Sequence, residues 1–148
     1  MKAIIQGLML CGWIFIQGWN VHAAIPYTDN GNGTVTDSWT QLVWQKEDDD
    51  TTRTWEQALT YCEALVLGGQ NDWRLPNIRE LESLVDAATY SPAINSTYFP
   101  NTNSSNYWSS SSNANYSSDA WMVLFIGGSV GYGNKSGTYY VRCVRGGS

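Results

Sequence analysis

The pair Cys62 and Cys143 constrains the fold of this chain more than any other sequence feature. The third cysteine, Cys11, lies in an apolar N-terminal stretch, so two cysteines remain for the region that follows. An exported chain with two cysteines most simply joins them in one disulfide. Such a bond ties the middle of the chain to its last segment, and closing a loop of about 82 residues stabilises a fold by roughly 4.5 kcal/mol in the chain-entropy treatment.

The N-terminal segment has the pattern of a secretory signal peptide. Lys2 provides a short positive region, residues 3–16 are mostly apolar, and Val21-His22-Ala23 offers residues that suit cleavage after Ala23. We therefore predict a signal peptide over residues 1–23 and a single domain over 24–148, secreted, periplasmic or on the cell surface.

Two other interpretations of this segment stay open. A retained membrane anchor is disfavoured because the apolar run is shorter than the roughly 20 residues that a spanning helix needs. A lipid anchor on Cys11 is disfavoured because Leu10 is large for the position before a lipidated cysteine. Beyond the signal peptide we expect no membrane span.

Charge and residue types argue against nucleic-acid binding and against most enzyme chemistry. Thirteen acidic residues against eight basic ones leave a net charge of −5, which provides no electrostatic footprint for nucleic acid. The single histidine, His22, would leave with the signal peptide, which removes histidine-dependent catalysis and histidine metal ligands. We predict a protein that is not an enzyme and uses no cofactor or metal. A carboxylate-dependent hydrolase using groups such as Glu80 is the least favoured alternative, and a structural envelope protein is another.

Strand patterns lie at both ends of the predicted domain. Residues 27–46 read as a hairpin, with turn-forming Asn and Gly over residues 29–33, and a calcium loop is the alternative for that turn. Residues 121–126 alternate as a strand, and residues 139–145 form the last strand, which carries Cys143.

Two helices are predicted between these strands. Thr54 and Gln57 have capping-box spacing, and an apolar stripe that includes Cys62 extends a helix over residues 54–67. Asn77 and Glu80 give a second cap and a helix over 77–87. The predicted core contains Trp44, Trp55, Leu59, Leu81, Trp108, Trp121, Val123 and Phe125.

A stretch rich in Ser and Asn separates the helices from the last strands. Thirteen of the nineteen residues over 101–119 are Ser or Asn, a composition typical of a disordered linker. Tyr107 and Trp108 in its middle favour a loop anchored to the fold instead.

Charged residues at three places have structural interpretations. The run over residues 48–50 reads as a solvated acidic stretch or as favourable charge near a helix N-terminus. Arg142 lies in a strand with inward-pointing neighbours, which favours pairing with a buried acid such as Glu80 or Asp72. Contact with a ligand is the alternative for Arg142 and for the two other arginines of this kind, Arg74 and Arg145.

An ordered set of motifs resembles the C-terminal domain family of the Legionella collagen-like protein. The motifs cover nearly all of the predicted domain and are Thr28-Asp29-Asn30-Gly31-Asn32-Gly33-Thr34-Val35-Thr36-Asp37, Leu42-Val43-Trp44-Gln45-Lys46, Thr54-Trp55 with Tyr61-Cys62, Asp72-Trp73-Arg74-Leu75-Pro76-Asn77, Pro92-Ala93-Ile94-Asn95, Tyr107-Trp108-Ser109-Ser110 and Tyr140-Val141-Arg142-Cys143-Val144-Arg145.

The resemblance implies an α+β, C-type-lectin-like fold: two helices around a twisted, mostly antiparallel sheet, with one disulfide between Cys62 and Cys143. It also implies an adhesive role, with glycosaminoglycan binding as the family's associated activity. Three departures bear on that role. The chain contains no collagen-like repeat, so we expect no trimerisation by that route; its acidity disfavours polyanionic sugars; and the Glu-Pro-Asn motif of calcium-dependent lectins is absent.

The C-terminal segment also resembles the variable regions of lectin-like proteins that retroelements diversify. Asn, Tyr, Ser and Gly are interspersed there between Trp121, Val123, Phe125 and the residues around Cys143. The resemblance implies a surface whose side chains change while the fold is kept.

These observations lead to a secreted or surface module that binds a protein or glycan ligand through its C-terminal strands. Alternation is expected to place Trp121, Val123 and Phe125 in the core and their neighbours on the outside. Tyr, Ser, Gly and Asn are the residue types that paratopes use. The predicted ligand-binding residues are Tyr107, Tyr116, Met122, Leu124, Ile126, Ser129, Tyr132, Asn134, Ser136 and Tyr139. The alternative is that a second layer covers Met122 and Leu124 as ordinary core.

Overall fold

The computed structural model describes residues 25–146, which form an α+β domain with two short helices and seven strands. The elements are β1 (Tyr27–Asp29), β2 (Thr34–Asp37), β3 (Leu42–Gln45), α1 (Trp55–Ala64), α2 (Ile78–Glu82), β4 (Asn106–Ser112), β5 (Asp119–Leu124), β6 (Ser129–Asn134) and β7 (Val144–Arg145). The predicted signal peptide lies outside the described residues. No helix within 25–146 is long and apolar enough to cross a membrane.

The strands form two antiparallel sheets, so the expectation of one twisted sheet is wrong. One sheet has the order β1-β2-β3-β7 and the other has the order β4-β5-β6. The segment before β7 links them, because Tyr140 bridges to Tyr107 of β4 while Val144 pairs with Trp44 of β3. The predicted last strand is therefore divided between two sheets, and only its final two residues form β7.

The N-terminal region is a three-stranded meander whose first turn is the predicted one. The amide of Asn30 contacts the hydroxyls of Thr34 and Thr36, and the Asp29 carboxylate accepts from the Gly31 amide. Gly31 adopts a φ of 72°, a conformation that glycine tolerates without steric cost. The turn is thus held by its own side chains.

Helix α1 has the predicted capping box but ends earlier than predicted. Thr54 and Gln57 exchange side-chain to backbone hydrogen bonds, and Ala58 and Cys62 face the core. The helix stops at Ala64 instead of residue 67, because Leu65 is extended and residues 67–70 close a tight turn on themselves. The two glycines of that turn, at 68 and 69, both have positive φ.

Helix α2 is also capped as predicted and is also shorter, ending at Glu82 instead of residue 87. Asn77 and Glu80 form its capping box. The chain leaves the helix because Val85 bridges to Ile94 and the Asp86 amide donates to Ala93. These tertiary contacts outweigh the local helical pattern.

The predicted disulfide between Cys62 and Cys143 is confirmed, with 5.5 Å between the Cα atoms. Both cysteines are buried in a cluster with Trp73, Trp108 and Met122. A second cluster, which includes Trp44, Leu81, Val123 and Phe125, fills the space between the first sheet, α2 and β5. Of the predicted core, Trp55, Leu59 and Trp121 are only partly buried.

The segment rich in Ser and Asn is ordered around a strand, as Tyr107 and Trp108 indicated. Both side chains are fully buried in β4. The indole of Trp108 donates to the backbone of Arg53, and the Ser109 hydroxyl donates to the backbone of Trp121. The predicted anchoring is confirmed, but the anchored part is strand β4 and not a loop.

Arg142 is paired with a buried acid, but the acid is Asp48 and not Glu80 or Asp72. The guanidinium lies 3.2 Å from the Asp48 carboxylate, and both side chains are almost completely buried. Burial lowers the pKa of Arg142, and the nearby Asp48 opposes that shift. Asp48 also accepts from the Tyr107 hydroxyl at 2.6 Å. This acid is therefore neither a solvated surface charge nor a helix-terminus charge.

Candidate functional site

The predicted binding strands, β5 and β6, form an antiparallel hairpin at one edge of the second sheet. β5 is the central strand and β6 is the edge strand. The register places Trp121 opposite Tyr132 and Val123 opposite Val130, so these four side chains share one face of the sheet. The part of this face farthest from the core is open to solvent.

Three aromatic side chains lie together on that open face, and we call Tyr116, Trp121 and Tyr132 the aromatic platform. Tyr116 and Tyr132 are stacked, with 6.0 Å between ring centroids and 18° between planes. Trp121 meets the Tyr132 ring edge-on at 5.4 Å. Tyr116 is 57% exposed and Tyr132 is 50% exposed, and Val130 beside them is 39% exposed.

The loop between β4 and β5 positions Tyr116 over Tyr132. The buried Asn113 accepts from the Asn115 amide through its side chain, and its own amide donates to Asp119. The Asp119 amide in turn donates to the Tyr116 carbonyl, which closes the turn. Lys135 braces the loop by donating to the Ser112 hydroxyl and the Ser117 carbonyl.

The opposite face of the hairpin is buried, so the predicted orientation of Met122 is wrong. Met122 is 4% exposed and packs in the cluster that contains the disulfide and Trp108. A Cβ atom on Gly133 would lie 2.7 Å from the Met122 methyl group, which shows how closely this face is filled. The alternative in which a second layer covers Met122 describes the structure correctly.

Tyr107 is likewise core and not surface. It is fully buried, stacks on Tyr140 and meets Phe125 edge-on. Burial is the largest cause of the raised pKa of its hydroxyl, which also donates to Asp48. Tyr107 therefore supports the fold from inside and presents no surface to a ligand.

The other predicted residues are scattered around the hairpin. Leu124 is half-buried against the cluster of the disulfide, and Tyr139 is half-buried with its ring 4.7 Å from that of Trp108. Ile126 is 45% exposed but lies in the β5–β6 turn, at the other end of the hairpin from Asn134, the last residue of β6. Ser129, Asn134 and Ser136 are exposed, and the Asn134 carboxamide accepts from the backbone amide and hydroxyl of Ser136.

The positive charges of the domain are engaged internally. Six of the seven Lys and Arg side chains in residues 25–146 form ion pairs, including Arg74 with Glu80 and Arg145 with Asp72. Lys135, the seventh, lies 4.2 Å from the centre of the Trp55 ring. The described surface thus offers no unpaired cluster of cations to a polyanion.

Glu80, the carboxylate named above as a possible catalytic acid, is held by hydrogen bonds within the domain. The Glu80 carboxylate accepts hydrogen bonds from both terminal nitrogens of Arg74 and from the backbone amide of Asn77. Burial would raise the pKa of Glu80, but these hydrogen bonds and the charge of Arg74 lower it overall. Glu80 thus caps the start of α2 and forms an ion pair with Arg74, which is a structural role.

Trp121 was predicted to lie in the core but is only partly buried and belongs to the aromatic platform, because alternation alone does not say which face of a strand is covered. Gly131 and Gly133 are the sequence feature that could have indicated which face is covered. Each lacks a side chain where the face it shares with Met122 and Leu124 is crowded, and a Cβ on Gly131 would lie 2.9 Å from Leu124. The exposed platform is on the other face.

The structure thus defines a disulfide-linked α+β domain with two antiparallel sheets and an exposed aromatic surface on an edge hairpin. The profile of the Lcl C-terminal domain family matches residues 33–145, and the chain belongs to that family, as its motifs indicated. No curated protein shows a significant match to the chain. Family membership is consistent with a surface-associated module.

Proposed function

We propose that this domain is a ligand-binding or adhesion module, without catalytic activity, that acts outside the cytoplasm. The observation that carries the proposal is the aromatic platform, formed by Tyr116, Trp121 and Tyr132 on an exposed sheet face. Contiguous exposed apolar surface on a soluble domain usually marks an interaction site. Trp121 and Tyr132 are carried by a hairpin whose opposite face packs on a filled core, which limits the conformational entropy lost on binding.

The chemistry of the platform suits a protein surface or an uncharged glycan. Tyr and Trp provide large amphipathic contact area, and Asn134 and Ser136 supply hydrogen-bonding groups near the end of β6. The internal pairing of the described cations argues against a sulfated or otherwise polyanionic glycan, although glycosaminoglycan binding is implied by the family resemblance.

We also propose that the domain has a C-type-lectin-like fold and that residues 1–23 are a signal peptide that is cleaved. The capped α1 helix joined by a disulfide to the C-terminal segment supports the lectin-like comparison. Export is supported by the disulfide, because such bonds persist in oxidising compartments.

We also propose that the exposed positions of this hairpin form a region diversified by a retroelement. Tyr116, Tyr132, Asn134 and Ser136 are exposed, whereas Met122 on the opposite face of β5 and Val123 farther along the same face are buried. Substitution at the exposed positions would change which ligand the domain binds and would leave the core intact. Sequences of this gene from independent isolates would test the proposal, with variation expected at the four exposed positions and absent at Met122 and Val123. Uniform variation along the hairpin, or none, would contradict it.

The function is tested by the double variant Tyr116→Ser with Tyr132→Ser on a glycan and cell-surface protein array, with and without calcium. We expect saturable binding by the wild type and a loss of at least about tenfold in the variant, because about 1.4 kcal/mol of lost contact weakens affinity tenfold. Thermal stability should stay nearly unchanged, because both rings are half exposed.

Two control variants make the result decisive. Tyr90→Ser removes an aromatic ring that is 73% exposed outside the platform, and it should leave binding intact. Met122→Ser should instead destabilise the domain by about 2–5 kcal/mol, as expected for truncation of a buried side chain. Equal binding by the wild type and the double platform variant would place the ligand site elsewhere.

A structural role in the envelope is the second candidate, and the position of β6 at the edge of its sheet among residues 25–146 favours it. Ser129–Asn134 contains no charged residue and no proline, the features that usually protect an edge strand from pairing. Sedimentation analysis separates the two functions. Stable self-association that Val130→Lys abolishes, together with no ligand on the array, would support the structural role.

A further inference from the structure

A second concave surface lies outside the platform, between the first sheet and the segment that follows α2. It is a cleft of about 380 Å³ that shares no residue with the platform and is lined by groups that include Tyr27, Asp37, Trp39 and Asp86. That volume is within the range of small-molecule sites, which is roughly 300–1,000 Å³.

The cleft carries negative charge that no cation within the described residues neutralises. Asp37 and Asp86 form no ion pair there, whereas the lysines and arginines of residues 25–146 are engaged elsewhere. Both carboxylates lie close enough to Tyr27 to act on its hydroxyl. Burial first, and then these two charges, raise the pKa of Tyr27 to about 12. Like an ordinary tyrosine hydroxyl, that of Tyr27 is protonated at neutral pH and can donate a hydrogen bond.

The two acids have different roles in the cleft. Asp37 is buried and accepts from the backbone of Trp39 and the hydroxyl of Thr40, so it holds the β2–β3 turn in place. One oxygen of Asp86 accepts from the Ala88 amide, and the other has no donor among residues 25–146. Asp86 is thus the acid that is available to a ligand.

Trp39 provides the aromatic wall of the same cleft. The turn held by Asp37 leaves the Trp39 side chain 71% exposed, so most of the ring is not packed against the domain. A tryptophan face is the best aromatic partner for a cation, and the attraction grows when the cation is also partly desolvated. An exposed indole and a carboxylate without an ion-pair partner among residues 25–146 line the same cleft, and together they are complementary to a cation that also has hydrocarbon groups.

We propose that this cleft binds an organic ammonium group, held between the Trp39 ring and the Asp86 carboxylate. The group has two possible sources, a small free amine and the side chain of a lysine in another polypeptide. The bound ammonium would donate to the unpartnered oxygen of Asp86 and lie against the indole face. This site is independent of the aromatic platform and does not rest on the function proposed for it.

The test is a titration of the isotope-labelled protein, followed by the amide and indole N–H signals in NMR spectra. The probes are n-butylammonium, Nα-acetyl-lysine methylamide and the neutral 1-pentanol. We expect saturable shifts at the Trp39 indole and around Asp86 with both cations and none with the alcohol. Tighter binding of the lysine derivative would favour a lysine side chain of a polypeptide as the ligand, and binding no tighter than that of n-butylammonium would favour a small free amine.

Substitutions then link the signal to the site. Asp86→Asn keeps an acceptor for the Ala88 amide but removes the charge, and Trp39→Leu removes the aromatic face. Each should weaken amine binding by at least about fivefold, as expected from the loss of about 1 kcal/mol of cation–π or charge interaction. Glu63→Gln, at an exposed acid on α1, should have no effect.

The proposal fails if 1-pentanol shifts the same signals as the amines, or if Asp86→Asn binds the amines as tightly as the wild type. It also fails if no probe saturates. The two variants are independent, so the unfolding of one, seen by circular dichroism, leaves the other as the test. None of these results depends on whether the platform binds a ligand.

Discussion

At the scale of single residues, the buried charges of Asp48 and Arg142 are the most consequential feature of the core. The guanidinium donates to the backbone carbonyls of Gln45 and Lys46 as well as to Asp48 and the Thr102 hydroxyl. Taking two charges out of water is costly, and several hydrogen bonds are needed to offset that cost. The network joins the end of β3 to Arg142, the residue that precedes Cys143.

We predict that Asp48→Asn destabilises the domain by about 3–5 kcal/mol, because it leaves the buried charge of Arg142 without its partner. Denaturant unfolding measures the change. The matched control is Asp49→Asn, which removes an acid from the more exposed pair with Arg53 and should cost no more than about 1 kcal/mol. Similar losses for the two variants would show that burial of the Asp48 pair has little energetic consequence.

At the scale of secondary-structure elements, α2 is a five-residue helix whose start is stabilised by one side chain in two ways. Glu80 accepts from the backbone amide of Asn77 and binds both terminal nitrogens of Arg74. A helix this short gains little from propensity, so capping and tertiary contacts keep it in place. Its position matters because α2 packs against both β4 and β5.

We predict that the contribution of Glu80 to stability depends on pH. Its pKa is lowered in the folded state, so the contribution is present above the ordinary value of 4.5 and is lost as the pH falls through the folded value. Glu80→Gln retains a capping side chain but loses the charge, and should cost about 1 kcal/mol near neutral pH. The two proteins should converge in stability in acid, and a constant difference across the titration would contradict the prediction.

At the scale of the whole molecule, the disulfide holds the two halves of the chain together. It joins α1 to the segment that links the two sheets, across a sequence separation of 81 residues. A bond that closes so long a loop mainly restricts the unfolded chain, although the size of the effect depends on residual structure in that state.

We predict that the double variant Cys62→Ala with Cys143→Ala lowers the free energy of unfolding by about 4.5 kcal/mol in the chain-entropy treatment. Urea unfolding of the two proteins gives the difference. The wild type in reductant should approach the variant, whereas the variant itself should be insensitive to reductant. A wild type that unfolds equally in oxidised and reduced form would refute this role of the bond.

Local sequence patterns determined those features that depend on neighbouring residues alone. The capping boxes at Thr54 and Asn77, the turn after β1 and the inward stripe that holds Cys62 all follow from short-range geometry and hydrogen bonding. The family and the disulfide could also be predicted from the sequence. The family is recognised from short motifs in a set order, and the disulfide follows from the presence of two cysteines after residue 24.

Only the tertiary structure decided which surfaces are covered. Period-two alternation divides β5 into two faces, but it contains no information on which face another layer will bury. Packing against the disulfide cluster buried Met122 and left Trp121 at the surface with Tyr132. The partner of Arg142 was decided in the same way, because a contact across 94 residues depends on how the sheets meet and not on local spacing.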